Sequence, residues 1–432
     1  MSEVLHSERN SAWTAQQKNA VAASFLSWTF DAFDFFLLIF VLPAIATEFG
    51  AGITEVTLTV TLTLAARPIG ALIFGRAADH YGRRPALVAV IGVYSALELA
   101  SAFAPNLMFL LVVRALFGIA MGGVWGVSAS LTMESIPPAR RGFASGLLQA
   151  GYSSGYLLAA LAFAFFFPLI GWRGLFILGA VPALLSIFVI RNVQESPTWE
   201  RNNAAKRTGT LDVLKTHWKL AVYAVVLMTA FNFFSHATGD LYPTFLEVER
   251  GLSPHTVGII AVFYNIGAII GCLLFGSLSE RVGRRRAIVA AALLSLPVIP
   301  LWIMPNSLVL LAIGAFLMQL MVQGAWGVIP AHLNELSPPE VRATFPGVVY
   351  QLGNLFASAN TTIQAAIAAH DGNRYSLALA GVAAFVAIVI ALLTGFGFEA
   401  KGVRFAAADR RSAPIGPRGV DGMRGVDSVP AE

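Results

Sequence analysis

Twelve times along this chain the side chains run apolar for roughly 20 residues, the length a helix needs to cross about 30 Å of hydrocarbon. A backbone in lipid must satisfy its own N–H and C=O groups, so a pattern of this kind leaves a bundle of membrane-crossing helices as the fold. The stretches fall near 21–43, 56–75, 86–104, 108–131, 144–167 and 175–192, and then near 220–242, 256–276, 287–304, 308–330, 346–369 and 376–397. Composition agrees, because 56% of the 432 residues are hydrophobic and only 12% are charged, against about 25% charged in a soluble domain. A mean hydropathy of +0.70 over the whole length is too high for one anchor on a soluble body. The chain before Val21 is polar, the wrong order for a cleaved leader, so the first helix is expected to stay in the membrane. Cys272 is the only cysteine, which excludes an intramolecular disulfide, a cysteine-built metal cluster and a thiol redox pair.

The net charge of +5 is explained by where the basic residues lie. Arg9, Lys18, Arg76, Arg83, Arg84, Arg140, Arg141, the basic residues from Arg191 to Lys219, Arg281, Arg284, Arg285, Arg286 and Arg342 fall on one side of the predicted spans, with those of the tail. Arg173, Arg250 and Arg374 fall on the other. The excess of Lys and Arg predicts that this basic side, with both termini and the central loop, is cytoplasmic. The basic balance is therefore a topology signal, and no nucleic-acid partner is expected. The expected location is a bacterial inner membrane, crossed many times.

The two halves of the chain match at a constant offset of 201 residues. Gly75, Asp79, Gly82, Arg83 and Arg84 correspond to Gly276, Glu280, Gly283, Arg284 and Arg285. Trp125 and Gly126 fall on Trp326 and Gly327, while Glu134, Pro137, Pro138 and Arg141 fall on Glu335, Pro338, Pro339 and Arg342. Gly171 and Arg173 fall on Gly372 and Arg374. Four blocks in one register argue duplication of a six-helix unit, a plan that places a transported molecule between the halves near the midplane. The expected organisation is an N-terminal half over 1–192, a linker over 193–219, a C-terminal half over 220–400 and a disordered tail over 401–432. Channels and membrane enzymes have no need of this duplication.

The block from Gly75 to Arg84 resembles the cytoplasmic loop signature of the major facilitator superfamily, and Arg114 to Gly122 resembles its fourth-helix signature. The resemblance covers residues of about 20 to 400. It implies an all-α membrane protein of twelve transmembrane helices in two parallel six-helix pseudo-repeats. Asp79 and Glu280 lie at the basic ends of their spans, where they can pair with Arg140, Arg141 or Arg342. With Arg83, such pairs would form a charge lock that breaks when that side opens; the alternative is that they are structural anchors.

An ionisable side chain at the bilayer centre costs at least about 2.5–3.5 kcal/mol, so each one is a functional candidate. The first span holds Asp31 and Asp34, the second Arg67. At about 1.5 Å per residue, Asp31 lies roughly 15 Å and Arg67 roughly 13 Å from the basic ends of their helices. Two readings stay open: the two side chains satisfy each other, or the Arg67 fork serves an anionic substrate while a nearby acid carries a proton. In the seventh span Asn232, His236 and Asp240 recur every fourth residue and share one face. This segment, with Ser235, Thr238 and Thr244, resembles the seventh-helix signature of the Jen-type fungal lactate permeases; Gly239 departs from it, standing where that signature usually has Gln. The first span also resembles that group and its relatives, the sialate and metabolite proton symporters, and Gln351 and Asn354 match a polar pair of the permeases. A histidine bonded to a neighbouring carbonyl is the bland alternative for His236. Glu98 is intramembrane and without an assigned role, and Arg114 is as readily a structural tie as a coupling element. Gly151 and Gly155, with Gly267 and Gly271, are expected to pack spans five and eight together.

No Walker-type phosphate loop, H-E-x-x-H or Gly-x-Ser-x-Gly nucleophile occurs in the chain, so neither ATP-driven pumping nor those hydrolytic chemistries are supported. The expected function is a proton-coupled symporter, not an enzyme, that imports a small monocarboxylate such as lactate or pyruvate. Its substrate residues would be Arg67, Asn232, His236, Gln351 and Asn354, and its proton residues Asp31, Asp34, His236 and Asp240. Asp79, Arg83, Arg141, Glu280 and Arg342 would gate it. No cofactor or metal is expected; the partners are the carboxylate, protons and lipid, and the working unit is a monomer. A sialate or other metabolite symporter, and a non-transporting sensor of the same fold, are the alternatives.

Overall fold

The computed structural model describes residues 12–202, 213, 215–370, 372, 374–399, 403 and 405. Among them every regular element is helical. The first half comprises α1 (Ala15–Phe49), α2 (Ile53–Tyr81), α3 (Arg83–Ala102), α4 (Leu107–Ser135), α5 (Arg141–Gly179) and α6 (Ala183–Asn192). The second comprises α7 (Trp218–Gly239), α8 (Pro254–Val282), α9 (Arg284–Ser295), α10 (Leu308–Leu336), α11 (Thr344–Ala357) and α12 (Tyr375–Gly395). Local chemistry sets the ends: Thr14 and Gln17 close a reciprocal capping box on α1, and Gly50 ends it in the left-handed region at φ 60°.

Three spans depart from straight rods. Helix α5 carries the whole fifth span and, beyond Pro168, folds back at Gly171 (φ 62°, ψ −173°) into the start of the sixth; only glycine takes that backbone without strain. The ninth span continues past α9 through a turn at Leu296–Val298 into Ile299–Ile303, where Pro297 removes a helix donor. The eleventh continues past α11 as Asn360–His370. Among the described residues ten helices are long and apolar enough to cross a membrane; one, Pro138–Asn192, holds two crossings and the broken eleventh adds another. The bundle thus has the twelve crossings expected. In the central linker Pro197–Asn202 forms a short helix, and residues 203–212 and 214 lie outside the described residues. So does most of the expected disordered tail, but Val403 and Phe405 are described, and Phe405 is buried.

The small-residue stripes do not join the helices expected of them. A Cβ at Gly155 would meet α1 at the Thr29 carbonyl, and one at Gly267 or Gly271 would meet α10 at Phe316 or Leu320. Helices α5 and α8 meet instead through Gly142 and Gly146 against Gly276 and Cys272. Spacing shows that a helix face admits a close neighbour but not which neighbour takes it. On the other flank Gly75 of α2 abuts Thr344 of α11, so the halves touch through α5–α8 and α2–α11 at the basic face.

Candidate functional site

At the basic face the two halves are joined by contacts that nearly repeat across them. Asp79 on α2 accepts from the backbone N–H groups of Ala343 (3.0 Å) and Thr344 (2.9 Å) and from the Thr344 hydroxyl (2.6 Å). Glu280 on α8 accepts from Phe143 N–H at 2.8 Å. Each acid thus holds the N-terminus of a helix in the opposite half, where unpaired N–H groups and the helix dipole favour a carboxylate. Asp79 also pairs with Arg83 at 2.9 Å.

Arg141 and Arg342, expected to gate the chain, take other partners than the acids named for them. Arg141 faces Glu335 at 3.7 Å and Arg342 faces Glu134 at 4.0 Å, both across the halves. Within each half Arg83 grips Glu134 at 2.9 and 3.1 Å, and Arg284 grips Glu335 at 3.0 and 3.1 Å. The carboxylates of Asp79 and Glu280 are turned to the helix ends, and Asp79 keeps Arg83 beside it as well. Glu134 and Glu335 went unassigned in the sequence although they recur in register, which is the signal that could have found them. Glu195, beyond the end of α6, accepts from Arg83 N–H at 2.9 Å and Arg84 N–H at 3.2 Å. Burial pushes its carboxyl above the usual range, and these N–H groups pull it back only partly. Glu399 does the same service for Arg284 and Arg285 at 3.3 and 3.2 Å.

Deeper in the bundle, Arg67, Gln149, Tyr152, Asn232, Ser235, His236, Gln323 and Asn354 line one cavity of about 70 Å³ with Phe35, Leu64, Trp326 and Tyr350. Helices from both halves contribute, so the cavity sits between them. The Arg67 guanidinium is buried yet lightly used: Asp31 lies 3.9 Å away, Met121 Sδ 3.4 Å, and the Phe35 ring centroid 5.1 Å. Its Nε has no hydrogen-bond partner, nor has either Asp31 oxygen. The aromatic wall is continuous, with Tyr350 between Trp125 (4.7 Å) and Trp326 (5.6 Å) and Trp28 stacked on Tyr152 (5.6 Å).

The stripe on α7 divides. Asn232 turns back to its own helix, donating to Met228 O at 2.8 Å. His236 bridges helices, with Nδ1 3.1 Å from Asp240 and Nε2 3.1 Å from Asn354 Oδ1. Thr361 in the second piece of the eleventh span donates to Asp240 at 2.7 Å. Gln351 is buried with both amide atoms unpartnered, and it is not among the residues lining the cavity.

Asp34 is apart from Arg67. A Cβ at Gly179 would lie 2.9 Å from Asp34 Oδ1 and 3.1 Å from Glu98 Oε1, so both carboxyl groups open onto that glycine. Glu98 is 2.9 Å from Arg114, whose guanidinium is sandwiched by Phe117 (4.8 Å) and Phe176 (4.3 Å). Glu98, unassigned in the sequence, thus belongs with Asp34 and Arg114 in one sealed cluster.

A transporter bundle, its two like halves joined by a charge network at one face with a polar cavity between them, is the class these features define. The model of the Major Facilitator Superfamily matches residues 24–248 and 233–420, and the chain belongs to that family of membrane transporters. It is 31% identical over 417 residues to a carboxylic acid transporter protein homologue of Saccharomyces cerevisiae, covering 89% of this chain and 67% of that one. It is 29% identical over 403 residues to the sialic acid transporter NanX of Escherichia coli, covering 90% and 97%. The solved structure of the proton:xylose symporter XylE has the same fold, with a TM-score of 0.71 at 17% identity over 90% of this chain and 97% of that one.

Proposed function

We propose that this transporter is a proton-coupled symporter that imports a small monocarboxylate, lactate or pyruvate first among them, working as a monomer in a bacterial inner membrane with the basic face cytoplasmic. The observation that carries the reading is Arg67: a buried guanidinium, 3.9 Å from Asp31 and with its Nε unpartnered, opening into a cavity between the halves. A fork of donors held that way suits a carboxylate. His236 and Asn354, hydrogen-bonded to each other at the cavity wall, are placed to bond the rest of a small hydroxy or keto acid. The cavity of about 70 Å³ favours an acid of a few carbons over a sugar acid, and similarity to the yeast carboxylic acid transporter homologue supports the same substrate class.

Proton coupling follows from charge. An anion entering a negative interior works against about 2.3 kcal/mol per 100 mV, and one accompanying proton removes that cost. Asp34 and Glu98 lie together beside Gly179, and among the described residues the one guanidinium paired there is that of Arg114, on Glu98, so one negative charge is uncompensated unless a proton is held there. Asp31, beside Arg67, is the group through which the carboxylate would sense that site.

Uptake into proteoliposomes with an acid-outside gradient tests this with lactate, pyruvate, benzoate and sialate. Accumulation of the small acids should approach about tenfold per pH unit for one proton. Asp34→Asn and Glu98→Gln should each lose accumulation yet still exchange labelled for unlabelled substrate, since exchange needs no net proton movement. Binding without uptake would favour the sensor, uptake of sialate alone would favour the metabolite symporter, and accumulation indifferent to pH would refute coupling.

A further inference from the structure

Phe405 lies ten residues beyond α12 in a stretch whose composition is that of a tail, yet its side chain is only 5% exposed. The ring packs in an apolar cluster with Val21 of α1, Met133 and Ile136 at the end of α4, Ala144 of α5 and Ala331 of α10. Four of these belong to the first half and one to the second. The ring centroid lies 3.5 Å from the guanidinium carbon of Arg141 and 3.9 Å from that of Arg342. Those arginines are repeat counterparts, 201 residues apart, and each reaches across the halves to Glu335 or Glu134. Arg141 also donates to the carbonyl of Val403 at 2.6 Å.

We propose that Phe405 is a latch: its ring, held by one gate arginine from each half, keeps the basic face closed and so acts as an inhibitory contact on the transport cycle. This rests on the gate described above. Both guanidinium groups can meet one ring only while the halves are together, since opening that face draws Arg141 and Arg342 apart. Contact with two cations is therefore available to the closed state alone, and whatever favours one state and not the other shifts the balance between them. Arg342 makes the dependence plain, because its Nε and Nη1 have no hydrogen-bond partner and the ring face covers a charge that is otherwise poorly satisfied. A cation over a desolvated ring contributes enough to change the ratio of closed to open molecules by about tenfold. Ordinary apolar packing would account for burial of the ring, but gives no reason for it to centre on two guanidinium groups.

The test is a distance measurement on the full chain in nanodiscs without substrate. Nitroxide labels at Arg191→Cys on α6 and Val282→Cys on α8, in a Cys272→Ala background, report the separation of the halves at the basic face. With native Phe405 the short distance should dominate. Phe405→Ala should move the closed-to-open ratio by about tenfold toward the long distance, and Phe405→Trp, the better partner for a cation, should restore or exceed the native ratio. A Phe405→Ala protein that is monodisperse and keeps the native distribution overturns the latch. So does an equal shift in the Ala and Trp variants, which would mean that ring-to-cation contact is not what holds the gate. The readout uses no carboxylate, so a wrong substrate assignment would leave this result intact, and a failed latch would leave the uptake experiments intact.

Discussion

The basic face and the midplane of the bundle come from the same duplication and have had opposite fates. At the face the register of 201 keeps Asp79 with Glu280, Arg83 with Arg284, Glu134 with Glu335 and Arg141 with Arg342, and the contacts repeat within tenths of an ångström: 2.9 Å for Arg83–Glu134, 3.0 Å for Arg284–Glu335. At the midplane the same register sets Asp31 against Asn232, Asp34 against Ser235, Arg67 against Ala268, Glu98 against Ile299 and Arg114 against Ala315. Every one of those charges is in the first half; their counterparts in the second are the neutral Asn232 and Ser235 and the apolar Ala268, Ile299 and Ala315, while the second half's own ionisable pair is His236 with Asp240. A gate between two similar bodies works best when each half offers the other the same grip, so symmetry is retained. The task proposed for the cavity, telling a carboxylate from a proton, needs different chemistry on its two walls, and there symmetry is lost. On this view the first half handles charge and the second orients the cargo.

The largest effects should come from breaking the symmetric part. Glu134→Ala would leave Arg83 and Arg342 short of their acid, and Glu335→Ala would do the same to Arg284 and Arg141. Removing one partner of a buried ion pair costs about 3–5 kcal/mol, so each variant should melt far below the native protein. The point of comparison is their likeness: the two losses should agree within about 1 kcal/mol. A large loss for one and a small loss for the other would mean that the duplicated gate has a dominant side.

Next comes the asymmetric part. Arg67→Ala should lower carboxylate uptake by about a hundredfold or more while the protein still folds, since a charge-assisted pair of hydrogen bonds to the substrate is lost. Arg67→Lys should recover little, because a point charge does not reproduce the planar fork. Direct binding measurements decide the matter. Undiminished affinity in the Ala variant would reduce Arg67 to a structural partner of Asp31 and undo the division of labour between the halves.

Much of this was open to reading in the bare sequence, and the failures have physical causes. Helical rise alone puts Asp31 and Arg67 at one depth, and they lie 3.9 Å apart. The period of four puts His236 and Asp240 on one face, and their side chains meet at 3.1 Å. Periodicity cannot choose among neighbours, which is why the glycines of α5 and α8 pack elsewhere than expected and why Arg141 takes Glu335 where Glu280 was a candidate. Gln351 illustrates a second limit, since a polar residue on a cavity helix need not turn to the cavity. A third is Phe405: one aromatic among Gly, Pro and Arg carries no pattern, and its seat exists only after two arginines 201 residues apart are folded together.

The smallest effect expected is at the second-half wall, where His236 joins α7 to the eleventh span through Asp240, Asn354 and Thr361. Both ring nitrogens face side-chain oxygens, so the imidazolium can satisfy both with its N–H groups, whereas a neutral ring donates to only one. An imidazole changes charge near pH 6.5 when unperturbed, within the range where a gradient-driven importer operates. We expect His236→Ala and Asp240→Asn each to reduce uptake by several-fold to about tenfold. Because the two act through one contact, the double variant should be little worse than either single one, a coupling of about 1 kcal/mol. The pH profile of substrate affinity separates the roles: a proton-handling histidine should flatten it when removed, and a merely structural one should lower the yield of folded protein and leave the profile of the survivors unchanged. Folded His236→Ala protein with native affinity and native pH profile would confine proton handling to Asp31, Asp34 and Glu98, and the asymmetry between the halves would then be greater still.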